Sequence, residues 1–126
     1  MRHILIVMLV FALIVVGDIS AYKYLYTTST SLNAEAASMS DYVEKEKWSS
    51  AINSAKALKK NWDKRKFIWS ILIDHKEIDD IERGMTRAEN YIKAKNKPMA
   101  LAEVRTLERI IKHIPDNQLF SIENIL

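Results

Sequence analysis

Apolar residues follow two regimes along this chain. From Ile4 to Gly17 they form an unbroken run, and from Leu32 onward they recur at intervals of three and four among charged residues. The first regime predicts a helix bound for a membrane, and the second predicts a set of amphipathic helices. Leu32, Ala36, Met39 and Val43 make the first amphipathic stripe, with Asn33 placed as N-cap and Glu35 in the first turn. A second helix opens near Glu46, and its stripe is Trp48, Ile52, Ala55, Leu58 and Trp62. Trp48, Ala55, Trp62 and Trp69 lie seven apart, which sets three tryptophans on one face of a continuous helix packed at a shallow angle. A stacking platform for a base or sugar would need those rings exposed, so core is the expectation.

A further stripe runs from Phe67 through Ile71, His75, Ile78, Ile81, Met85, Ala88 and Ile92. Two helix breaks fit it. A break at Asp63 gives one long helix over about 64–95. A break at Asp74 uses Asp74-His75-Lys76-Glu77 as a capping box, with Asp79, Asp80 and Glu82 in the early turns. Electrostatics favours Asp74, because Lys64, Arg65 and Lys66 suit a helix end. Stripe continuity favours Asp63, and burial outweighs the few tenths of a kcal/mol at stake in the dipole, so the long helix is expected. The last helix starts at Asn96-Lys97-Pro98, shows Leu101, Val104, Leu107, Ile111 and Ile114, and is expected to stop at Pro115. Only two Gly and two Pro occur, too few turn formers for many short strands. No internal repeat stands out. The fold class expected is all-α: an N-terminal transmembrane helix followed by a three- to four-helix antiparallel bundle.

The flanks decide what the apolar run does. Residues 4–17 alone number 14, the length of a signal-peptide core. Counting on to Ala21 gives about 27 Å of helix, and Tyr22-Lys23-Tyr24-Leu25-Tyr26 supplies an interfacial aromatic belt. Val15-Val16-Gly17 and Ile19-Ser20-Ala21 are poor cleavage sites, so an uncleaved anchor is expected over a removed signal. The absence of Cys excludes a lipid-modified cysteine after the run. Arg2 before the run and Lys23 after it place the N-terminus in the cytoplasm and the bulk of the chain outside the cell membrane. Residues 1–26 are thus read as the anchor, 27–33, with Thr27-Thr28-Ser29-Thr30-Ser31, as a polar stalk, and 34–126 as the bundle, although a helix could also continue through the stalk.

Candidate chemistry is sparse. Asp18 sits within a turn of the belt, where a carboxylate is expected to reach the headgroups; the sharper alternative is an intramembrane acid paired with a partner helix. His75, Asp79 and His113 are ligand types for a metal, yet the spacing is not HExxH, and an antiparallel pairing puts His75 opposite residue 118. The competing expectation is a buried Asp74–His75 hydrogen bond, with His113 a helix-end cation near Asp79 or Asp80. No nucleophilic triad, phosphate loop or paired catalytic carboxylates appear, so no enzyme and no cofactor are expected. Lys59, Lys60, Lys64, Arg65 and Lys66 form a basic cluster suited to anionic lipid or wall polymers, or to pairing with the acids after Asp74. The net charge of +3 is too small a basic surface for nucleic acid. Leu119, Phe120, Ile122, Ile125 and Leu126 make a tail too apolar to hang free, expected to dock on the bundle or a partner.

Glu46-Lys47-Trp48 with Ala51, Trp62, Ile73-Asp74-His75 with Glu77-Ile78-Asp79, Tyr91-Ile92, His113-Ile114 and Glu123-Asn124-Ile125-Leu126 form a set that resembles a known family over nearly the whole chain. The family is one of small, N-terminally anchored helical proteins of Firmicutes catalogued as a domain of unknown function. The resemblance implies an exported helical protein without assigned activity, encoded near multi-span membrane proteins. Three roles remain open. The leading one is an accessory subunit that docks on an integral membrane protein through Asp18, the anchor and the tail. The others are a sensor or ligand-binding module around His75, Asp79 and His113, and a binder of anionic surfaces. Self-association through the tryptophan face is compatible with each.

Overall fold

The computed structural model describes the backbone of residues 1–125 and the side chains of residues 1–118. Four helices follow one another: α1 (Arg2–Glu44), α2 (Trp48–Leu72), α3 (His75–Lys93) and α4 (Lys97–Ile125). Each packs against its neighbours in sequence, and α4 closes the ring against α1, giving an antiparallel four-helix bundle. The core takes the expected α1 stripe of Leu32, Ala36, Met39 and Val43, and from α2 Ala51, Ala55, Leu58, Trp62 and Trp69; the expected Ile52 of α2 and Leu101 of α4 are only half-buried, and Ala51 and Ala100 take the inward positions beside them. Ile78, Ile81, Met85, Ala88 and Ile92 come from α3, and Ala100, Val104, Leu107, Ile111 and Ile114 from α4. Trp62 and Trp69 are fully buried and meet edge to face, with ring centroids 5.4 Å apart, while Trp48 packs half-buried against the core. Gly84 permits the close approach of α3 to α4, since a Cβ there would lie 3.2 Å from Leu107 Cδ1.

Three expectations are corrected. Residues 27–33 are not a stalk: α1 runs through them without a break, and Thr28, Ser29 and Leu32 are buried. Asn33 therefore caps nothing. Hydroxyls satisfied inside a helix do not interrupt it, and both buried ones are satisfied here. The helix break falls at Asp74, not Asp63. Its carboxylate accepts the Lys76 N–H at 3.1 Å as the N-cap of α3, while Asp63 stays on the surface of α2 and pairs with Lys59 at 2.6 Å. The break is the one that electrostatics favoured, and stripe continuity misled: Trp62 and Trp69 are buried on one continuous face of α2, while Phe67 and Ile71, which extend the next stripe in sequence, are left exposed.

Pro115 is the third. It lies inside α4 rather than at its end. Proline has no N–H to donate to the carbonyl four residues back, so the Ile111 carbonyl loses its helical partner. Ser29 replaces that donor, with its Oγ donating to the Ile111 oxygen at 3.1 Å in a buried position. The residue type taken for stalk is what lets the last helix pass through a proline.

The bundle also contains a repeat that the sequence hides. At the end of α1 the Glu46 N–H bonds to the Val43 carbonyl and Lys47 to Tyr42; at the end of α3 Lys95 bonds to Ile92 and Asn96 to Tyr91. These are two Schellman closures of the same form, and the left-handed residues, Glu46 and Lys95, share φ 54°. Tyr42 and Tyr91, Glu46 and Lys95, and Ala51 and Ala100 occupy equivalent places, as do the buried pairs Leu32 and Ile81 or Leu58 and Leu107. The bundle is two helical hairpins with one turn design and one burial pattern, offset by 49 residues.

Candidate functional site

The apolar stretch of α1 stands clear of the bundle. Ile4, Leu5, Phe11, Leu13 and Val16 are each more than half exposed, and the helix is long and apolar enough to cross a membrane, with none of its most apolar window buried. Asp18 lies on this stretch and is exposed. Two adjacent hydroxyls hold the helix where it enters the bundle. Thr28 Oγ1 donates to the Tyr24 carbonyl at 2.8 Å and accepts the buried Trp69 Nε1–H of α2 at 3.0 Å, while Ser29 reaches α4 as described. The point of entry is therefore tied to both neighbouring helices.

The metal candidates are not brought together. His75 and Asp79 are exposed on α3, and Asp79 adds its charge to the surroundings of Lys66 on the α2 side. His113 lines an open groove between α3 and α4 with Asp74, Glu77, Asp80, Arg109 and Asn117, a groove that neither His75 nor Asp79 lines. Its Nδ1 lies 3.7 Å from Asp116. Among the described residues no three His, Asp or Glu side chains are arranged to hold a metal ion. The pairing of α3 with α4 is close to that expected, since Asn117 Nδ2 donates to Glu77 at 3.4 Å, about half a turn from His75. The buried Asp74–His75 pair does not form either; Asp74 is committed to its capping bond and both residues are exposed.

The basic cluster divides in two. Lys59 is paired with Asp63, and Lys66 with Glu82 of α3. Glu82 Oε1 also accepts the Trp62 Nε1–H at 3.2 Å, so one carboxylate oxygen serves a cation and a core indole. The hydrogen bond from Lys66 holds the Glu82 carboxyl below the ordinary glutamate range, with the Trp62 bond acting in the same direction against partial burial. The same contact holds the Lys66 ammonium above its usual value. Lys60, Lys64 and Arg65 have no acidic partner among the described residues.

The side chains of the tail candidates Leu119, Phe120, Ile122, Ile125 and Leu126 lie outside the described residues. The backbone of α4 continues to Ile125, fourteen residues beyond Ile111 and so about 21 Å further toward the apolar end of α1. What sequence reasoning missed is the outward face of α2, where Phe67 is 75 %, Ile71 67 % and Ile68 42 % exposed. The signal was present: had the break been set at Asp74, the tryptophan face would have left Phe67 and Ile71 with nothing to pack against.

No curated protein and no solved structure matches this chain. The model of one family, described as "Domain of unknown function (DUF4363)", matches residues 19–125. That match begins at the end of the apolar stretch and takes in the whole bundle, and the chain belongs to this family.

Proposed function

We propose that the chain is a non-catalytic accessory subunit of a membrane protein complex. In this reading α1 crosses the cell membrane with its N-terminus in the cytoplasm, the bundle stands outside, and an integral membrane protein is held through the span, Asp18 and the apolar tail. One observation carries it. The apolar side chains from Ile4 to Val16 are exposed on a helix that continues unbroken into a closed core, so they need a cover that the described residues do not provide. Asp18 supports a partner in particular, because an acid on such a stretch is best placed against a helix that can hydrogen-bond it. The extension of α4 past Pro115 supports it as well, since it carries the tail toward the level of the span.

Affinity purification of the tagged full-length chain from native membranes, after mild crosslinking, tests the reading. A stoichiometric integral membrane protein is expected, and its recovery should fall when Asp18 is changed to Leu or residues 119–126 are removed. Recovery of the chain alone, as monomer or homo-oligomer, would refute it.

A further inference from the structure

We propose that the outward face of α2 lies on the anionic bilayer surface that α1 enters, with Ile71, Ile68 and Phe67 in the headgroup and acyl boundary and Lys64 and Lys60 among the headgroups. This rests on the reading of α1 as a membrane span.

The face has the composition of an interfacial anchor. Lys60, Lys64, Phe67 and Ile71 follow one another at intervals of four, three and four, and so form one stripe. Along it the cations lie away from the apolar stretch of α1 and the apolar residues toward it. Beyond that stretch, the large apolar side chains exposed on the described part of the molecule are Tyr26, Phe67, Ile68, Ile71 and Met99. Three of the five belong to this face. Three members of the basic cluster hold no acid among the described residues, and two of them, Lys60 and Lys64, lie on this stripe, whereas Lys59 and Lys66 are spent on Asp63 and Glu82.

The register brings the face to the right height. Trp69 bonds to Thr28, and Asn61 to Glu35, which sets Ile71 level with Leu25 and Tyr26 of α1. That is four to five residues past Ala21, or about 6–7 Å above the end of the apolar stretch. The stretch is also short. Counted to Ala21 it spans about 27 Å against a hydrocarbon core of about 30 Å, so residues 22 and 23 are drawn toward the boundary and the base of the bundle with them. A tilt of about 20° toward α2, ordinary for a single span, lowers an outer face about 15 Å from the α1 axis by about 5 Å. Together these place Ile71 at the boundary and Phe67 in the headgroups. A protein partner could cover the same face, but it would not require cations above and apolar residues below in the order that a bilayer requires.

The chain has no cysteine, so single probes can be placed in the full-length protein. Ile71→Cys, Ala57→Cys on the upper part of α2, and Val10→Cys in the apolar stretch would each carry an environment-sensitive fluorophore. The proteins are placed in nanodiscs of phosphatidylcholine with or without phosphatidylglycerol, containing lipids spin-labelled just below the headgroup or near the chain end. We expect the shallow label to quench Ile71 several-fold more than Ala57 when phosphatidylglycerol is present, and the deep label to quench Val10. Lys64→Gln should lower the ratio of docked to undocked α2 about fivefold, the loss of one cation near an anionic surface. If Val10 is quenched and Ile71 resembles Ala57, the span stands, this proposal falls, and the face is left to a protein. If Val10 is not quenched, the span reading fails first and this one with it. Equal quenching of Ile71 without phosphatidylglycerol would overturn the anionic requirement.

Discussion

Removing the Ser29 hydroxyl should destabilise the bundle only while Pro115 is present. In the native chain the Ile111 carbonyl receives no helical N–H, because the residue four positions on is Pro115, and the Ser29 Oγ at 3.1 Å is its donor. Ser29 is 4 % exposed, so Ser29→Ala leaves a buried carbonyl without a partner and water cannot readily take its place. Such a group costs about 1–3 kcal/mol, where an ordinary exposed Ser→Ala change costs a few tenths. Pro115→Ala restores the N–H, and Ile111 then has its own helical donor. Against that background Ser29→Ala should cost less than about 0.5 kcal/mol, giving a coupling of at least about 0.5 kcal/mol in the double-mutant cycle. The assay is thermal unfolding of the four full-length proteins in one detergent, followed by the fluorescence of the buried tryptophans and by far-UV circular dichroism. At about 4–8 °C per kcal/mol, the single Ser29→Ala variant should melt at least 4 °C lower, and the same change in the Pro115→Ala protein should move the midpoint by no more than about half of that. Equal costs in both backgrounds would show that Ser29 acts through packing, and the account of how α4 passes its proline would be wrong.

Thr28→Val should cost about 1–3 kcal/mol by leaving the Trp69 Nε1–H buried and unpaired, whereas Thr28→Ser, which keeps the acceptor, should cost less; equal losses on melting would contradict this. Glu46→Gly and Lys95→Gly should each stabilise by about 0.5–1 kcal/mol, since both positions hold φ 54° where a Cβ is strained, and a loss of stability at either would count against the turn assignment. The pH response should carry two opposite signs. Burial raises the Glu108 carboxyl above its unfolded value, so its ionisation costs stability that is regained as pH falls through the folded pKa; Glu108→Gln should raise the melting point at neutral pH and not near pH 4. Glu82 is held below its unfolded value, so its contribution is full at neutral pH and lost as pH falls through the folded pKa; Glu82→Gln should lower the melting point at neutral pH and flatten the acid limb of the melting profile.

The parts of the fold legible in the sequence are those set by burial alone. The stripes of α1, α2 and α4 were readable because a residue facing three other helices must be apolar, and Leu32, Trp62 or Leu107 has no other reason to recur at that interval. The illegible parts are those in which a polar residue does an apolar residue's work or the reverse. Thr28 and Ser29 look like linker until their partners, Trp69 and the Ile111 carbonyl, are brought beside them from α2 and α4. Pro115 looks like a stop because the donor that excuses it is more than eighty residues away in sequence. Phe67 and Ile71 look like core because helical spacing reports a face and not what lies against it. The likeness of the two hairpins was hidden for a related reason: Glu46 and Lys95 occupy a site where glycine would have advertised the turn. As for function, the apolar stretch and Asp18 were plain in the sequence, whereas the sorting of the lysines into paired and unpaired required Asp63 and Glu82 to be placed beside them.

The continuity of α1 has a mechanical consequence for the proposed anchor. A domain on a flexible stalk takes every orientation its linker allows, but this bundle is built on the same helix as the span and is clamped to it by Thr28 and Ser29 at the point of entry. It must follow the span's tilt. From Tyr22 to Glu44 the helix rises about 33 Å, so a change in tilt of about 20° carries the distal turn about 11 Å sideways. A partner that redirects the span would move the far end of the bundle, and contacts that settle α2 on the bilayer would set the tilt in turn. Spin labels at Val10→Cys and Glu44→Cys in nanodiscs measure this directly: thirty-four residues of unbroken helix predict one narrow distance distribution near about 50 Å. Thr27→Pro, which removes a helical hydrogen bond just below the clamp, should shorten and broaden it while leaving the bundle folded. A broad distribution in the unaltered protein would mean that the helix bends freely at the membrane, and the bundle would then carry no information about the span beneath it.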